Sequence, residues 1–159
     1  MQITIIAVGK LKESYFRDAL AEYSKRLGRY CKLQIFEVED EKTPERISDI
    51  EEQKIKEREG IRIQKRLKEG SYVIALALEG TSFDSIGWSK KLQNLSVEGK
   101  SHITFVVGGS LGLDKQILEK ADLLLSFSRM TFPHQLMRVI LLEQLYRSFR
   151  IIKGEPYHK

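Results

Sequence analysis

Tyr157, His158 and Lys159 close the chain and set a phenol, an imidazole and an ammonium side by side. Imidazole changes charge near neutral pH and is the side chain most often used to move protons. A phenol ring can stack or hydrogen-bond, and an ammonium attracts phosphate. The last residues of a domain ordinarily fray and carry little chemistry. Here Gly154 can end the preceding helix through a positive φ, and Pro156 stiffens the last residues. The expectation is a tail that delivers Tyr157 and His158 to a pocket; the plainer alternative is an idle tail.

A second group of candidates lies in three loops. In "FVVGGSLGLD" (105–114) an apolar run ends in Gly108, Gly109 and Ser110, then Gly112, with Asp114 placed to cap a short helix. Glycines let the backbone approach a ligand and offer bare N–H groups. In open α/β sheets, ligands settle at the carboxyl ends of strands. Similar loops occur in "LALEGTSFD" (76–84) and "FSRMTFPH" (127–134). Three such loops at three strand ends predict a pocket. Each residue also has a plainer reading: the glycine turn as a tight turn, Phe127 and Phe132 as core, and His134 as a cap or packing residue. Ser128 and Thr131 could be turn residues or the N-cap of the last helix, and Arg138 an ion-pair or RNA residue. His102, His134 and His158 lie far apart, with one cysteine among them, so no zinc-ligand spacing appears and no metal is expected. Neither the G-x-G-x-x-G nor the G-x-x-x-x-G-K-[ST] pattern occurs, which weakens dinucleotide and P-loop readings.

The elements that must position these groups alternate along the chain. "ITIIAV" (3–8), "LQIFEV" (33–38), "YVIALAL" (72–78), "ITFVV" (103–107) and "DLLLSF" (122–127) are short and apolar on both faces, as buried parallel strands are. Between them, Phe16, Leu20, Tyr23, Leu27 and Tyr30 recur at spacings of three and four, one apolar stripe of a helix over 12–30. Pro44 is expected to open a solvated outer helix reaching about Lys68, with Gly60 as its weak point. The last helix is expected from about Pro133 to Ile152. Its apolar residues cover most of the circumference, and its clearest polar ridge is Glu143, Arg147 and Arg150. A helix apolar nearly all round is buried from two sides; the sheet would cover one and a second subunit the other. The expectation is one α/β domain over 1–159, a mostly parallel sheet covered by helices on both faces, assembled as a homodimer.

With 159 residues, 42% hydrophobic and 31% charged, the chain reads as globular. Its longest apolar runs are too short for a bilayer, which needs about 20 residues. The opening "MQITIIAVGK" lacks the basic start and cleavage site of a signal peptide. Cys31 is the only cysteine, so no intrachain disulfide forms, and a cytoplasmic location is expected. The net charge of +5 is uneven: residues 129–159 carry six Lys or Arg against two Glu, a net +4. Such a patch attracts phosphate backbones or is simply a solvated face.

"FVVGGSLGL", together with "LLLSFSRMTFPHQLMRVILLEQLYRSFRIIKGEPYHK" further on, resembles the ribosomal RNA large subunit methyltransferase H family, within the SPOUT or α/β-knot methyltransferases. The likeness spans about 103–159. It implies a C-terminal trefoil knot, an exception to the rule against threaded chains, and a homodimer. It implies S-adenosylmethionine as donor and N3 of a pseudouridine in 23S ribosomal RNA as acceptor, free or in the large subunit or ribosome. Leu76, Gly108 and the knot loop Phe127, Ser128, Arg129, Met130, Thr131 and Phe132 would then form the cofactor pocket. By residue type rather than by the resemblance, His158 is the candidate general base for the N3 proton, and Tyr157 could stack on or hydrogen-bond the base. Arg138, Arg147, Arg150 and Lys159 would meet RNA. Two other classes use the same features: a flavodoxin-like nucleotide- or flavin-binding module, and a non-enzymatic ribosome-binding protein. Calorimetry with S-adenosylmethionine separates the three.

Overall fold

The computed structural model covers residues 1–159. All five expected strands form: β1 Gln2–Val8, β2 Lys32–Val38, β3 Tyr72–Ser82, β4 His102–Val107 and β5 Leu123–Ser126. They make one parallel sheet in the order β2-β1-β4-β3-β5. Five helices alternate with them: α1 Ser14–Leu27, α2 Asp49–Gln64, α3 Ser85–Val97, α4 Lys115–Lys120 and α5 His134–Ile152. The strands are apolar on both sides because both faces of the sheet are covered. Ile3, Ile5 and Ala7 of β1 join Phe105 and the residues of α1, α3 and α5 in one core. Ile6 and Val8 point the other way, to Ile63 of α2 and Ile117 of α4.

The apolar circumference of α5 has an explanation within one chain. This helix packs against both α1 and α3 while lying on the sheet, so three neighbours share its surface. None of its apolar side chains is among the large exposed ones. A second subunit is therefore not needed to account for its composition.

Helix α2 also departs from expectation. It starts at Asp49, where Ser48 and Glu51 form a reciprocal capping box; Pro44 lies in the preceding loop. Its Ile55, Glu59, Gly60 and Ile63 form a buried stripe. Gly60 is a close approach rather than a weak point: a Cβ there would meet the Cβ of Asp114 at 3.0 Å. Asp114 makes no capping bond to α4. Its carboxylate instead accepts a hydrogen bond from Gln53 Nε2 at 3.1 Å, tying α2 to the start of α4.

The departure that matters for function is in β3. Leu76 pairs with Leu125, the register then slips, and Thr81 pairs with Leu125 again. The intervening residues leave the ladder, and Ala77, Leu78 and Glu79 border a cavity. Gly80 brings the strand back across β5: a Cβ there would lie 2.7 Å from the carbonyl of Leu124. Gly80→Val should force these strands apart and lower stability by about 1–3 kcal/mol, the usual cost of overpacking. The denaturant midpoint measures this, and an unchanged midpoint would show that the crossing has slack.

Candidate functional site

Two cavities adjoin at the carboxyl ends of β3 and β5. The larger, about 800 Å³, is bordered by Leu76 of β3, the turn Gly108–Leu113 after β4 and the loop after β5. The glycine turn is tightly folded. Gly112 sits at φ +88° and donates its N–H to the Gly109 carbonyl at 3.1 Å. A Cβ on Gly108 would lie 2.9 Å from the carbonyl carbon of Gly112, so the turn closes only with glycine at 108. Gly108 to Gly112 also has the G-x-S-x-G spacing of a hydrolase elbow. That motif needs a serine on a sharp strand-to-helix turn, and here α4 starts only at Lys115.

Seven of the eight predicted cofactor residues border this cavity: Leu76, Gly108, Phe127, Ser128, Met130, Thr131 and Phe132. Arg129 is exposed and lies outside its lining. Ser128 is a turn residue, its hydroxyl accepting the Met130 N–H at 2.9 Å. Neither it nor Thr131 caps α5, whose N-cap position is Pro133. The ionisable side chains on the lining are Lys56, Glu79 and His134, and no group of three or more His, Cys, Asp or Glu could hold a metal ion anywhere in the chain. The cavity is thus lined largely by apolar and aromatic side chains, with the glycine turn along one side.

His134 titrates below its ordinary value, first because it is buried and then because Arg138 is near, with Lys12 adding and Asp40 opposing. A group with a lower pKa folded than unfolded contributes stability above its unfolded pKa, about 6.5, and loses it as pH falls further. Glu59 is raised by burial, so its contribution runs the opposite way, fading as pH rises. Replacing His134 by Gln should therefore shrink the loss of urea midpoint between pH 7 and pH 5. A loss as large as in the parent would assign it to other groups.

Arg138 corrects an expectation. It is 1% exposed. Its guanidinium donates to Glu37 Oε2 at 2.7 Å and to the carbonyls of Val8 and Gly9, each at 2.7 Å. Every one of these acceptors belongs to the ends of β1 and β2. Arg138 is an internal clamp holding the first turns of α5, and it has no surface from which to meet RNA.

The smaller cavity, about 640 Å³, shares Leu125, Ser126, Phe127, Ser128 and Phe132 with the first. Phe83, Trp88, Gln144 and His158 complete much of its border. The tail reaches it by folding back along its own α5. Gly154 adopts φ +66°, and the N–H groups of Gly154 and Glu155 donate to the carbonyls of Ile151 and Arg150, a Schellman stop. Arg150 pairs with Glu155 and donates to the Pro156 carbonyl at 2.9 Å, while Tyr30 donates to Glu155. Arg147 is bound to Glu143 and stands 4.7 Å over the Tyr157 ring. The Tyr157 hydroxyl also donates to Glu143, at 3.2 Å. The Arg147 and Arg150 ridge thus clasps the tail. Tyr157 packs on Tyr146 and does not border either cavity. Burial, with Glu143 nearby, pushes its phenol up to about 12, so it stays protonated. Lys159 is exposed.

Arg147 Nη1 lies 3.2 Å from Nδ1 of His158. A guanidinium can only donate, so Nδ1 accepts and the neutral ring carries its proton on Nε2. In this arrangement His158 offers a donor. Acting as a base through Nδ1 would require Arg147 to let go.

Sequence reasoning placed the loops and the tail, and Glu143 within the polar ridge of α5, but missed Phe83, Trp88, Gln144 and Glu155. Phe83 stood at the edge of a quoted loop, and Trp88 five residues on is brought beside it, ring centroids 5.7 Å apart, by the Asp84-capped start of α3.

Comparison with known proteins points to one family. The family model described as "Predicted SPOUT methyltransferase" matches residues 1–158. The ribosomal RNA large subunit methyltransferase H of Bifidobacterium adolescentis is 62% identical over 159 residues, all of both chains. Among solved structures, a protein of Haemophilus influenzae Rd KW20 described as a probable methylase superposes with a TM-score of 0.55 at 17% identity, over 99% of this chain and 70% of that one. A Legionella pneumophila methyltransferase solved in complex with bound SAM gives 0.50 at 11% identity, over 96% of this chain and 66% of that one.

Proposed function

This chain belongs to the SPOUT methyltransferase family, and from that premise we propose that it methylates N3 of a pseudouridine in 23S ribosomal RNA with S-adenosylmethionine as donor. The single observation that carries the reading is the apolar, glycine-turned cavity sharing one wall with a second cavity that His158 borders. The Bifidobacterium relative bears the name of a ribosomal RNA large subunit methyltransferase, and the Legionella structure holds SAM. The flavin-binding and non-enzymatic readings fall with the family assignment.

The cavity fits the donor by type. Backbone groups of the Gly108–Leu113 turn can meet an adenine edge, and Leu76, Met137 and Leu125 can cover its faces. Phe127 and Phe132 place aromatic rings where a sulfonium would be attracted to them. When bound, S-adenosylmethionine supplies a methyl group on a cationic sulfur, so no metal is required. The bond from N3 to the methyl carbon forms as the methyl–sulfur bond breaks, its electron pair remaining on sulfur, and the N3 proton passes to water. Positioning accounts for most of such a rate. His158 donates from Nε2 to a carbonyl flanking N3, where negative charge grows as that proton leaves. Lys159 stands ready for a phosphate, while Arg147 and Arg150 serve by holding the tail.

The family also carries a homodimer, a C-terminal trefoil knot, a single domain over 1–159 and a cytoplasmic site of action into this proposal. No helix is long and apolar enough to cross a membrane. The direct test is transfer of labelled methyl to large-subunit ribosomal RNA, with mapping of the modified nucleotide. Label at one pseudouridine N3 is expected; label on another base, or none on free RNA, subunits or ribosomes, would sink the reading.

A further inference from the structure

We propose that Glu59 of α2 is a positioning residue for methyl transfer, its carboxyl holding the glycine turn of the larger cavity in the shape that binds the donor. The inference rests on the methyl-transfer reading above and adds what supports the donor's pocket.

Glu59 is out of place by type. It is 5% exposed, on a helix stripe whose other buried members are Ile55, Gly60 and Ile63. Burying a carboxyl there costs solvation that an apolar side chain of the same size would not lose, and acids are seldom so buried without a partner. Two segments meet this one. Its Oε2 accepts the Glu41 N–H at 3.0 Å, from the loop after β2. Arg62, one turn further along α2, grips the same loop through the Glu39 carbonyl at 2.8 Å and the Glu41 carboxylate at 2.7 Å. The second segment is the glycine turn. A Cβ on Gly109 would lie 3.5 Å from Glu59 Oε1, 3.6 Å from Oε2 and 3.1 Å from Val8 Cγ1. Gly109 thus rests on the carboxyl and on the end of β1. Its carbonyl accepts the Gly112 N–H, and Gly112 is the residue against which Gly108 closes. A shift at Gly109 therefore passes to the whole turn. The far end of the turn is held by the same helix, with Gly60 and Gln53 against Asp114. Glu59 itself borders neither cavity, so it acts on the donor through the turn.

Glu59→Leu keeps the bulk and removes the acceptor. Calorimetry should show S-adenosylmethionine bound about tenfold or more weakly, the scale of a buried N–H left without its acceptor. The KM for large ribosomal subunits should stay at the parental value. Glu59→Gln restores an acceptor and should recover most of the loss. If the side chain is only filler, Glu59→Leu binds S-adenosylmethionine with parental affinity, and the proposal is overturned. Equal losses in the Leu and Gln variants would overturn it too. A gentler pair covers the case in which Glu59→Leu does not fold. Glu59→Asp draws the carboxyl back by one methylene, and Gly109→Ala adds a methyl on the side it vacates. Each alone should weaken S-adenosylmethionine binding, and the double variant should bind more tightly than the product of the two losses. Losses that simply multiply would mean that the two residues are uncoupled and would overturn the proposal. Failure of the parent protein to bind S-adenosylmethionine would instead remove the methyl-transfer reading, and this proposal with it.

Discussion

Gly108→Val should abolish S-adenosylmethionine binding while the circular dichroism spectrum stays helical. Even a single Cβ at this position would press on the Gly112 carbonyl carbon at 2.9 Å, well inside ordinary contact. Gly112 forms the turn at a φ of +88°, so moving its carbonyl away from a new side chain changes the turn itself. The turn must therefore open, and the backbone N–H groups that face the cavity move with it. The turn meets the second core through Val8 and Leu113, a small part of it, which is why the helical fold should persist. A loss of at least about a hundredfold in affinity is expected, roughly 2.8 kcal/mol at 1.4 kcal/mol per decade. Calorimetry reads it directly. Parental affinity in a folded Gly108→Val protein would remove the glycine turn from the cofactor site.

Removing Tyr157 to Lys159 should have the opposite selectivity, ending methyl transfer and sparing cofactor binding. None of these three residues borders the larger cavity, and His158 borders the smaller one. His158 alone should account for most of the effect, with kcat falling about 10²- to 10³-fold in His158→Ala, the scale set by losing one donor to a developing anion. His158→Gln separates donor from base. An amide keeps a donor but cannot take up a proton, so a His158→Gln protein clearly more active than His158→Ala supports donation from Nε2. Equal inactivity would mean that His158 accepts the N3 proton, and that Arg147 must release Nδ1 during the reaction. A truncated chain that methylated ribosomal RNA at the parental rate would make the tail an ordinary chain end. The tail's anchors, Arg147, Arg150 and Glu143, all belong to the same chain's α5 or its immediate surroundings. Mixing Gly108→Val and tail-deleted subunits then tests whose pocket the tail serves. Activity restored in mixed dimers would show that it can also reach a neighbour.

The strands, the last helix and the loops that border the cavity were legible from sequence because their signals are local. A run such as "ITIIAV" is apolar at odd and even positions alike, and only a strand buried on both faces satisfies that. Gly154 with Pro156 two residues on specifies a helix stop within three residues. The glycines and aromatics around 108 and 127–132 suggested a pocket by type and by their place at strand ends, and the structure gathers them around one cavity. The destinations of charges and the partners of helices were not legible, because they depend on atoms far away in sequence. Arg138 and Arg147 look alike along α5, yet one is swallowed by carbonyls from β1 while the other grips the tail. Gly60 reads as a helix defect until Asp114, distant in sequence, is packed on it. The apolar girth of α5 suggested a second subunit because a helical wheel counts apolar faces without naming what covers them, and α1 and α3 turned out to be available in the same chain. The proton on His158 is placed by one guanidinium, a contact that exists only once the chain has turned at Gly154 and come back along its own helix. Residue types and their spacing determined which groups could do chemistry, and the likeness to a family indicated which chemistry. Where each group points was decided by tertiary contacts, since the solvation of a charge and the covering of an apolar face are properties of the whole packed fold.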